Sequence, residues 1–149
     1  LELSSYQLDL CPHYKPDIAV LLNITPDHLD RHGKMENYIQ SKSRILEGQG
    51  PMIIGVDDEI TAALFKKFEK TGRAIPVSIK NKTLPCEDTL ILKGEHNYQN
   101  FLAAYEVARC FGVKPADIVK AASTFPGLAH RQYLVRTLRG VTYINDSKA

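Results

Sequence analysis

The sequence has few of the features that mark secreted or membrane proteins. It contains three cysteines, Cys11, Cys86 and Cys110, and no two of them form a C-x-x-C pair. Three thiols cannot make a closed disulfide framework, so we expect a reduced, cytoplasmic protein. The longest apolar run, Ile18–Leu22, falls far short of the roughly 20 residues that a membrane span needs. No basic segment followed by an apolar one is present, so we expect neither a membrane partner nor a secretion signal.

The chain also has little excess charge. Its 19 Lys and Arg against 17 Asp and Glu leave a net charge of +2, which argues against a nucleic-acid partner bound by phosphate neutralisation. With 149 residues and 44% hydrophobic side chains, it is large and apolar enough for one domain with a real core. The chain does not begin with Met, and both ends fall in sequence that looks structured. We therefore expect a piece of a longer protein.

Apolar runs and amphipathic stretches alternate along the chain. The runs predict strands over 17–24, 51–56, 74–79 and 89–93. The amphipathic stretches predict helices over 35–46, 57–70, 96–111 and 115–123. Segments 132–138 and 141–145 flank Arg139-Gly140 and predict a hairpin. The order predicts an α/β fold, a mostly parallel sheet flanked by helices, with antiparallel strands near the C-terminus.

Lys42 interrupts the apolar stripe of the helix predicted over 35–46. Tyr38, Ile39 and Ile45 belong to this stripe, and their spacing turns position 42 inward. A lysine there can extend its amine to water. Alternatively, a desolvated amine can act as a base or a nucleophile, or add CO₂ to become a carbamate that binds a hard metal.

A run of acidic and histidine residues follows the first predicted strand. Asp27, His28, Asp30 and His32 lie where open α/β sheets place their ligands. They are candidates for a metal or phosphate site, and one alternative is a metal-dependent hydrolase, with zinc on His28 and His32. The other interpretation is a helix cap at Asp27 with solvated charges around it.

Two further clusters carry polar groups suited to a nucleotide. Asn97 and Asn100 share a helix face, and paired amides can bind the edge of a base, although Asn97 can equally be a cap. Arg131 follows Gly127 in a loop, where a guanidinium suits phosphate. The sequence contains no G-x-x-x-x-G-K-[ST] phosphate loop.

Taken together, six blocks of the sequence resemble the central ATPase domain of the Mur ligases. The blocks occur in family order along the whole chain and are Glu2–Leu8 (ELSSYQL), Asn23–His32 (NITPDHLDRH), Lys42, Gly94–Asn100 (GEHNYQN), Gly127–Arg131 (GLAHR) and Tyr143–Ala149 (YINDSKA). The resemblance implies that 1–149 is part of this central domain. It also implies that the family's N-terminal UDP-binding domain, its P-loop and its C-terminal domain lie outside this chain.

The resemblance implies an ATP-dependent ligase of peptidoglycan precursor synthesis. In the family, ATP phosphorylates a carboxylate, an amine attacks the acyl phosphate, and phosphate leaves. The first and last blocks are most similar to members that join D-glutamate to UDP-N-acetylmuramoyl-L-alanine. Another amino-acid-adding member or a folylpolyglutamate synthase is the alternative, and a non-catalytic binding domain is a third. We expect the full-length protein to be a cytoplasmic monomer, and the fragment alone to be inactive.

The resemblance also assigns roles to residues. It implies that Glu2, His28 and a carbamylated Lys42 hold Mg²⁺, and that Ser4 and His28 lie near the substrate. It implies an ATP site whose members are Asn97, Asn100, His130, Arg131 and Asp146. Lys148 would lie near the phosphates or the reacting carboxylate. The resemblance thus implies three catalytic residues, His28, Lys42 and Lys148.

Overall fold

The computed structural model describes residues 1–81, 84 and 90–147. Its helices are α1 (Ser5–Leu10), α2 (Leu29–His32), α3 (Met35–Ser43), α4 (Glu59–Glu69), α5 (Glu95–Cys110) and α6 (Pro115–Thr124), with a 3-10 helix over Arg44–Glu47. Its strands are β1 (Ala19–Leu21), β2 (Met52–Gly55), β3 (Ala74–Val77), β4 (Tyr133–Leu138) and β5 (Val141–Asn145). In this part of the chain, no helix has the length and apolarity required to cross a bilayer.

The first three strands form a parallel sheet in the order β1-β2-β3. Val20 pairs with Ile53, which in turn pairs with Ile75, so the strands are in register along their length. Helices connect the strands, as parallel pairing requires. The α/β class predicted from the sequence is confirmed.

Two layers of helices cover the sheet, one on each face. Met52 and Ile54 of β2 belong to a core cluster packed against α3 and α4, whereas Ile53 belongs to a second cluster built with α5. Side chains alternate between the faces of a strand, so β2 contributes to both layers. All four residues of β2 are buried, as a central strand of a doubly covered sheet demands.

Close approach of two strands explains the glycine at the end of β2. A Cβ built on Gly55 would lie 1.9 Å from the carbonyl oxygen of Leu22. No side chain fits at that separation, so β1 and β2 can meet at this point only if residue 55 is glycine. The close approach brings the carboxyl ends of the two strands together.

Helix ends follow local sequence signals. Oδ1 of Asp58 accepts hydrogen bonds from the backbone N–H groups of Ile60 and Thr61, which caps α4. Ser4 and Gln7 form a capping box at the start of α1, each side chain accepting from the other's backbone N–H. Pro115 occupies the first turn of α6, where a missing N–H costs nothing.

Strands β4 and β5 form a separate antiparallel hairpin, as predicted. The register shifts between Leu134 and Arg136, which marks a bulge in β4. All six residues of β4 and four of the five in β5 are exposed.

The clearest differences between the sequence predictions and the structure are two missed helices and one strand. The helices α1 and α2 were not predicted. The strand predicted over 89–93 is wrong for residues 90–93, which form bends without a strand partner. Its first residue, Thr89, lies outside the described residues, as do Cys86 and Lys148.

Candidate functional site

The loop after β1 holds His28 in an unusual backbone conformation. Its φ of 53° and ψ of 29° are left-handed, a region that costs a side chain other than glycine roughly 1–2 kcal/mol. The turn is held by the Asp27 carboxylate, which accepts from the His28 N–H, and by the His28 carbonyl, which accepts from the N–H groups of Arg31 and His32. Strain of this kind concentrates at functional positions, and here it fixes where the imidazole of His28 lies.

Four aromatic rings, including that of His28 itself, pack against one another at this loop. The ring of Tyr6 lies 5.1 Å from that of His28 and stacks on that of His32 at 5.6 Å. The ring of Tyr38 lies 6.3 Å from that of His28 and 5.2 Å from that of His32. Such contacts stabilise each pair by about 0.5–1.5 kcal/mol. These four rings, called the ring cluster below, join α1, α2 and α3 around His28.

Lys42 extends from α3 over the edge of the ring cluster. Its Nζ lies 5.5 Å from the centre of the Tyr38 ring, and the residue is half-buried. The predicted inward placement is therefore only partial, because Tyr38 and Ser41 occupy the buried face of α3. This distance is that of a cation–π contact.

The metal ligands that the sequence implies lie on both sides of the loop after β1 in the chain, Glu2 before it and Lys42 after it. Glu2 is exposed just before α1, and the His28 side chain is 44% exposed with its Nε2 3.4 Å from Oδ2 of Asp27. Mg²⁺ is commonly held by one or two carboxylates together with substrate phosphates and water. In donor type, a set of the Glu2 carboxylate and the His28 imidazole suits a site completed by phosphates and water, although imidazole is a less usual ligand for Mg²⁺. Lys42 would join it only as a carbamate, since an ammonium cannot bind a cation.

The zinc hydrolase alternative does not fit the structure. Nε2 of His32 lies 2.9 Å from Oγ of Ser5, and its Nδ1 faces Asp9, so both nitrogens have other neighbours than His28. Within residues 1–81, 84 and 90–147, no three His, Cys, Asp or Glu side chains gather into a metal-binding group.

A second group of predicted residues lines a cavity of about 860 Å³ between α5, α6 and the hairpin. Most of its wall is apolar, including Leu92, Phe101, Ile118 and Phe125. Its polar members include Asn97, Asn100, Arg131 and Asp146. A large apolar cavity with a few convergent polar groups is typical of a small-molecule site.

Hydrogen bonds position several of these polar groups. The Asn97 amide donates to the carbonyl of Lys93, and Oδ1 of Asp146 accepts from the backbone N–H of Gln132 at 3.0 Å. His130, also predicted to contact nucleotide, is not among the cavity residues. Its Nδ1 lies 3.0 Å from Nδ2 of Asn145, which ties the two ends of the hairpin together.

Polar side chains link the carboxyl ends of the strands to α5. The Asn23 amide, after β1, donates to Oε1 of Gln99, whose amide donates to Oδ2 of Asp57, after β2. Oδ1 of Asp57 accepts from the hydroxyl of Ser78, after β3, at 2.6 Å. This row connects the loop of His28 with the helix that carries Asn97 and Asn100. Neither Asp57 nor Ser78 was singled out in the sequence, although Asp57 directly follows the strand predicted over 51–56 and Ser78 lies near the end of the one predicted over 74–79.

Sequence reasoning also missed part of the cavity wall. Its further members include His96, Gln132, Phe125 and Leu128. His96 stands beside Asn97 in a motif already noted, so its place was open to inference. Leu128 likewise belongs to the Gly127–Arg131 block, whereas no local pattern in the sequence indicates that Phe125 and Gln132 line the same cavity.

The sequence of the chain matches one family of known proteins. Residues 1–90, more than half of the chain, match the model of the Mur ligase middle domain. The chain belongs to the Mur ligase family.

Named relatives indicate which member of the Mur ligase family the chain resembles. The chain is 44% identical over its full length to the "UDP-N-acetylmuramoylalanine--D-glutamate ligase" of Chelativorans sp. (strain BNC1), and 44% identical to the protein of that name in Caulobacter vibrioides (strain NA1000 / CB15N). It spans 37% of the length of each relative.

Solved structures give the same fold. The chain is similar to MurF from Acinetobacter baumannii, with a TM-score of 0.69 and 24% identity over 95% of this chain and 35% of the other. At that identity the likeness concerns the fold alone.

Proposed function

We propose that the full-length protein containing this chain ligates D-glutamate to UDP-N-acetylmuramoyl-L-alanine with hydrolysis of ATP. The observation that supports this most directly is the cavity beside α5. Its polar side chains are those expected for a nucleotide, because a pair of amides on one helix face lines the same cavity as an arginine and an aspartate. We place the protein in the cytoplasm, as a monomer, in the synthesis of peptidoglycan precursors.

In this proposal the cavity holds the adenosine half of ATP. The apolar wall of Phe101 and Ile118 covers the base, and the amides of Asn97 and Asn100 face its edge. Arg131 faces phosphate, for which its planar guanidinium is suited. The second oxygen of Asp146, opposite the one that Gln132 uses, accepts from ribose. Lys148, outside the described residues, is assigned to the phosphates or the reacting carboxylate by the family likeness alone.

The loop after β1 faces the reacting groups. Bound Mg²⁺ would neutralise charge on the phosphate oxygens during transfer. Glu2 and His28 would hold it, joined by Lys42 as a carbamate, and Ser4 and His28 lie near the substrate. The γ-phosphoryl group passes to the carboxylate of the L-alanine residue, which releases ADP. The amine of D-glutamate then forms the new amide bond while phosphate leaves and the nitrogen gives a proton to solvent.

The chain itself is proposed to be the later part of the ATPase domain. The 149 residues contain no G-x-x-x-x-G-K-[ST] motif, so the β- and γ-phosphates would be held by residues outside it. We expect the isolated chain to show no ligase activity and at most weak ATP binding. Tight, magnesium-dependent ATP binding in calorimetry would contradict this division.

The test of the activity is ADP release by the full-length protein. Release should require both UDP-N-acetylmuramoyl-L-alanine and D-glutamate, and should fail with L-alanine or a diamino acid in place of D-glutamate. Equal turnover with another amino acid would instead favour a different Mur-type ligase. Arg131→Ala should raise the KM for ATP by about tenfold or more. Arg109→Ala, on the outer side of α5 beside Glu106, is the matched control and should leave it unchanged.

A further inference from the structure

We propose that His32 is a positioning residue that holds the Glu2–Ser4 segment in place relative to His28. His32 is buried, with 5% of its side chain exposed, so it cannot touch substrate or metal itself. A buried imidazole with defined partners either supports the fold or orients other groups. Its contacts favour the second role, and they are considered in turn below.

The first contact is with Ser5, the first residue of α1. Nε2 of His32 lies 2.9 Å from Oγ of Ser5, and the carbonyl of Ser5 accepts a hydrogen bond from Oγ of Ser41 at 2.8 Å. Ser5 is therefore held between α2 and α3. Ser4 caps the same helix, and Glu2 lies two residues before Ser4. Holding Ser5 in place therefore also restricts the positions of Ser4 and Glu2.

The second contact is with the ring cluster. The His32 ring is nearly parallel to that of Tyr6, at an interplanar angle of 7°, and is tilted at 44° against that of Tyr38. Tyr6 and Tyr38 in turn contact the His28 ring, and Tyr38 carries Nζ of Lys42. His32 thus lies one ring away from both His28 and Lys42.

The third contact sets the orientation of the imidazole. Nδ1 of His32 lies 3.9 Å from Oδ2 of Asp9, one turn along α1 from Ser5. Oδ1 of Asp9 also lies 4.0 Å from Nε of Arg44. One ring nitrogen therefore faces Asp9 and the other faces Ser5. Because both partners belong to α1, the imidazole is held against this helix at two points.

The effect of His32 on metal binding rests on the proposed function. Its hold on α1 rests on the structure alone. Partners that orient a metal ligand without touching the metal commonly change metal affinity by 10- to 100-fold when removed. Losing the bond between His32 and Ser5 should therefore weaken metal binding while the fold persists. A residue that only supports the fold would lower stability and metal binding together.

The experiment compares His32→Phe, Ser5→Ala and the double variant in the full-length protein. His32→Phe keeps a ring for stacking and removes the hydrogen bond, whereas Ser5→Ala removes the same bond from the other side. His32→Gln returns an amide nitrogen near the position of Nε2 and should restore part of the function. The controls are His13→Phe, at an exposed histidine after the end of α1, and Ser123→Ala, at a serine of α6 whose hydroxyl donates to the carbonyl of Lys120.

Two readouts besides turnover decide the matter. Hydrogen exchange of the α1 amides should accelerate by up to about tenfold in both single variants. Binding of Mn²⁺, used as a probe for Mg²⁺ and followed by electron paramagnetic resonance with nucleotide present, should weaken by about tenfold. The double variant should be no worse than either single one, since both remove one bond. The melting temperature should stay within a few degrees of the wild type.

Each other result overturns the inference. Unchanged exchange in α1 means that His32 does not hold the helix. Faster exchange with unchanged Mn²⁺ binding means that the bond is structural only, and additive variants mean that the two residues act separately. If His32→Phe fails to fold, Ser5→Ala alone carries the test. A wild-type protein that binds no Mn²⁺ refutes both the proposed metal site and the effect of His32 on it, while the exchange data still decide whether His32 holds α1.

Discussion

Asp27 and His28 form a tight pair in which one residue fixes both the backbone and the ring of the other. Oδ1 of Asp27 accepts the backbone N–H of His28 at 2.8 Å, and its Oδ2 lies 3.4 Å from Nε2 of the same histidine. The pair closes the turn that puts His28 in the left-handed region. The position of the His28 imidazole therefore depends on the left-handed backbone at residue 28. Substitutions at this residue can test the backbone conformation and the side chain separately.

We expect His28→Asn and His28→Val to differ in stability although both lose ligase activity. Asparagine tolerates the left-handed conformation, whereas a β-branched side chain is strained there. The free energy of unfolding in urea should be about 1–2 kcal/mol lower for His28→Val than for His28→Asn. Equal stability of the two variants would show that residue 28 leaves the left-handed region in solution.

The proposed carbamate makes a distinct prediction for Lys42. Lys42→Arg keeps the positive charge but cannot add CO₂, so it should be inactive in ADP release. Lys42→Ala should also be inactive and should regain part of its turnover with a short carboxylic acid or added bicarbonate, which supply the missing oxygens. Lys34→Arg, at the exposed residue immediately before α3, is the control. Wild-type activity of Lys42→Arg would show that the amine merely rests on Tyr38.

Gly55→Ala should prevent the close approach of β1 and β2. The added Cβ would meet the backbone of Leu22, which has no flexible end to move aside. We expect the free energy of unfolding to fall by about 3 kcal/mol or more. Gly33→Ala separates this from a conformational effect, because residue 33 has a φ of 74° but open space around it. Its cost should be only about 1 kcal/mol, and similar losses at both positions would refute the steric explanation.

Stability should depend weakly on pH through Glu47. The hydrogen bond from Nζ of Lys15, at 2.7 Å, lowers the pKa of this carboxyl, against the opposing effect of burial. A lowered pKa in the folded state means that the contribution is present at neutral pH and is lost as pH falls through the folded value. Both side chains are about half exposed, so the pair should contribute less than about 1 kcal/mol.

The measurement for Glu47 is the difference in unfolding free energy between wild type and Glu47→Gln from pH 7 to pH 2. The difference should shrink as the solution becomes acidic, and molar salt should remove most of it at pH 7. A difference that grows towards low pH would contradict the sign argued from the Lys15 hydrogen bond.

Elements with a clear period could be predicted from the sequence. The long amphipathic stretch of α4 and the apolar run of β2 each carry enough signal alone, and the Arg139-Gly140 turn defines the hairpin. Helix α1 was missed despite a visible signal, the Ser4–Gln7 capping box. Helix α2 has four residues and no side-chain cap, and it starts after His28, whose left-handed backbone no helix signal in the sequence indicates.

The strand predicted over 89–93 failed at 90–93 for another reason. Leu90 is buried against α5 and Leu92 lines the cavity, so both are apolar for packing rather than for strand pairing. Short apolar runs do not distinguish these cases. In the candidate site, Asn97, Asn100, Arg131 and Asp146 were found by motif. The row through Gln99 was not, because it joins residues 76 positions apart.

The alternation of side chains along β2 has a consequence for how this protein can diverge. Met52 and Ile54 pack with the layer that carries the ring cluster, and Ile53 packs with the layer that carries the cavity. Substitutions within one apolar cluster should therefore add to those in the other, except where they touch the polar row of Asn23, Gln99 and Asp57 that joins the two sides. A lineage can therefore change the apolar packing beneath the ring cluster and the packing beneath the cavity in separate steps, because each substitution has to fit only its own layer.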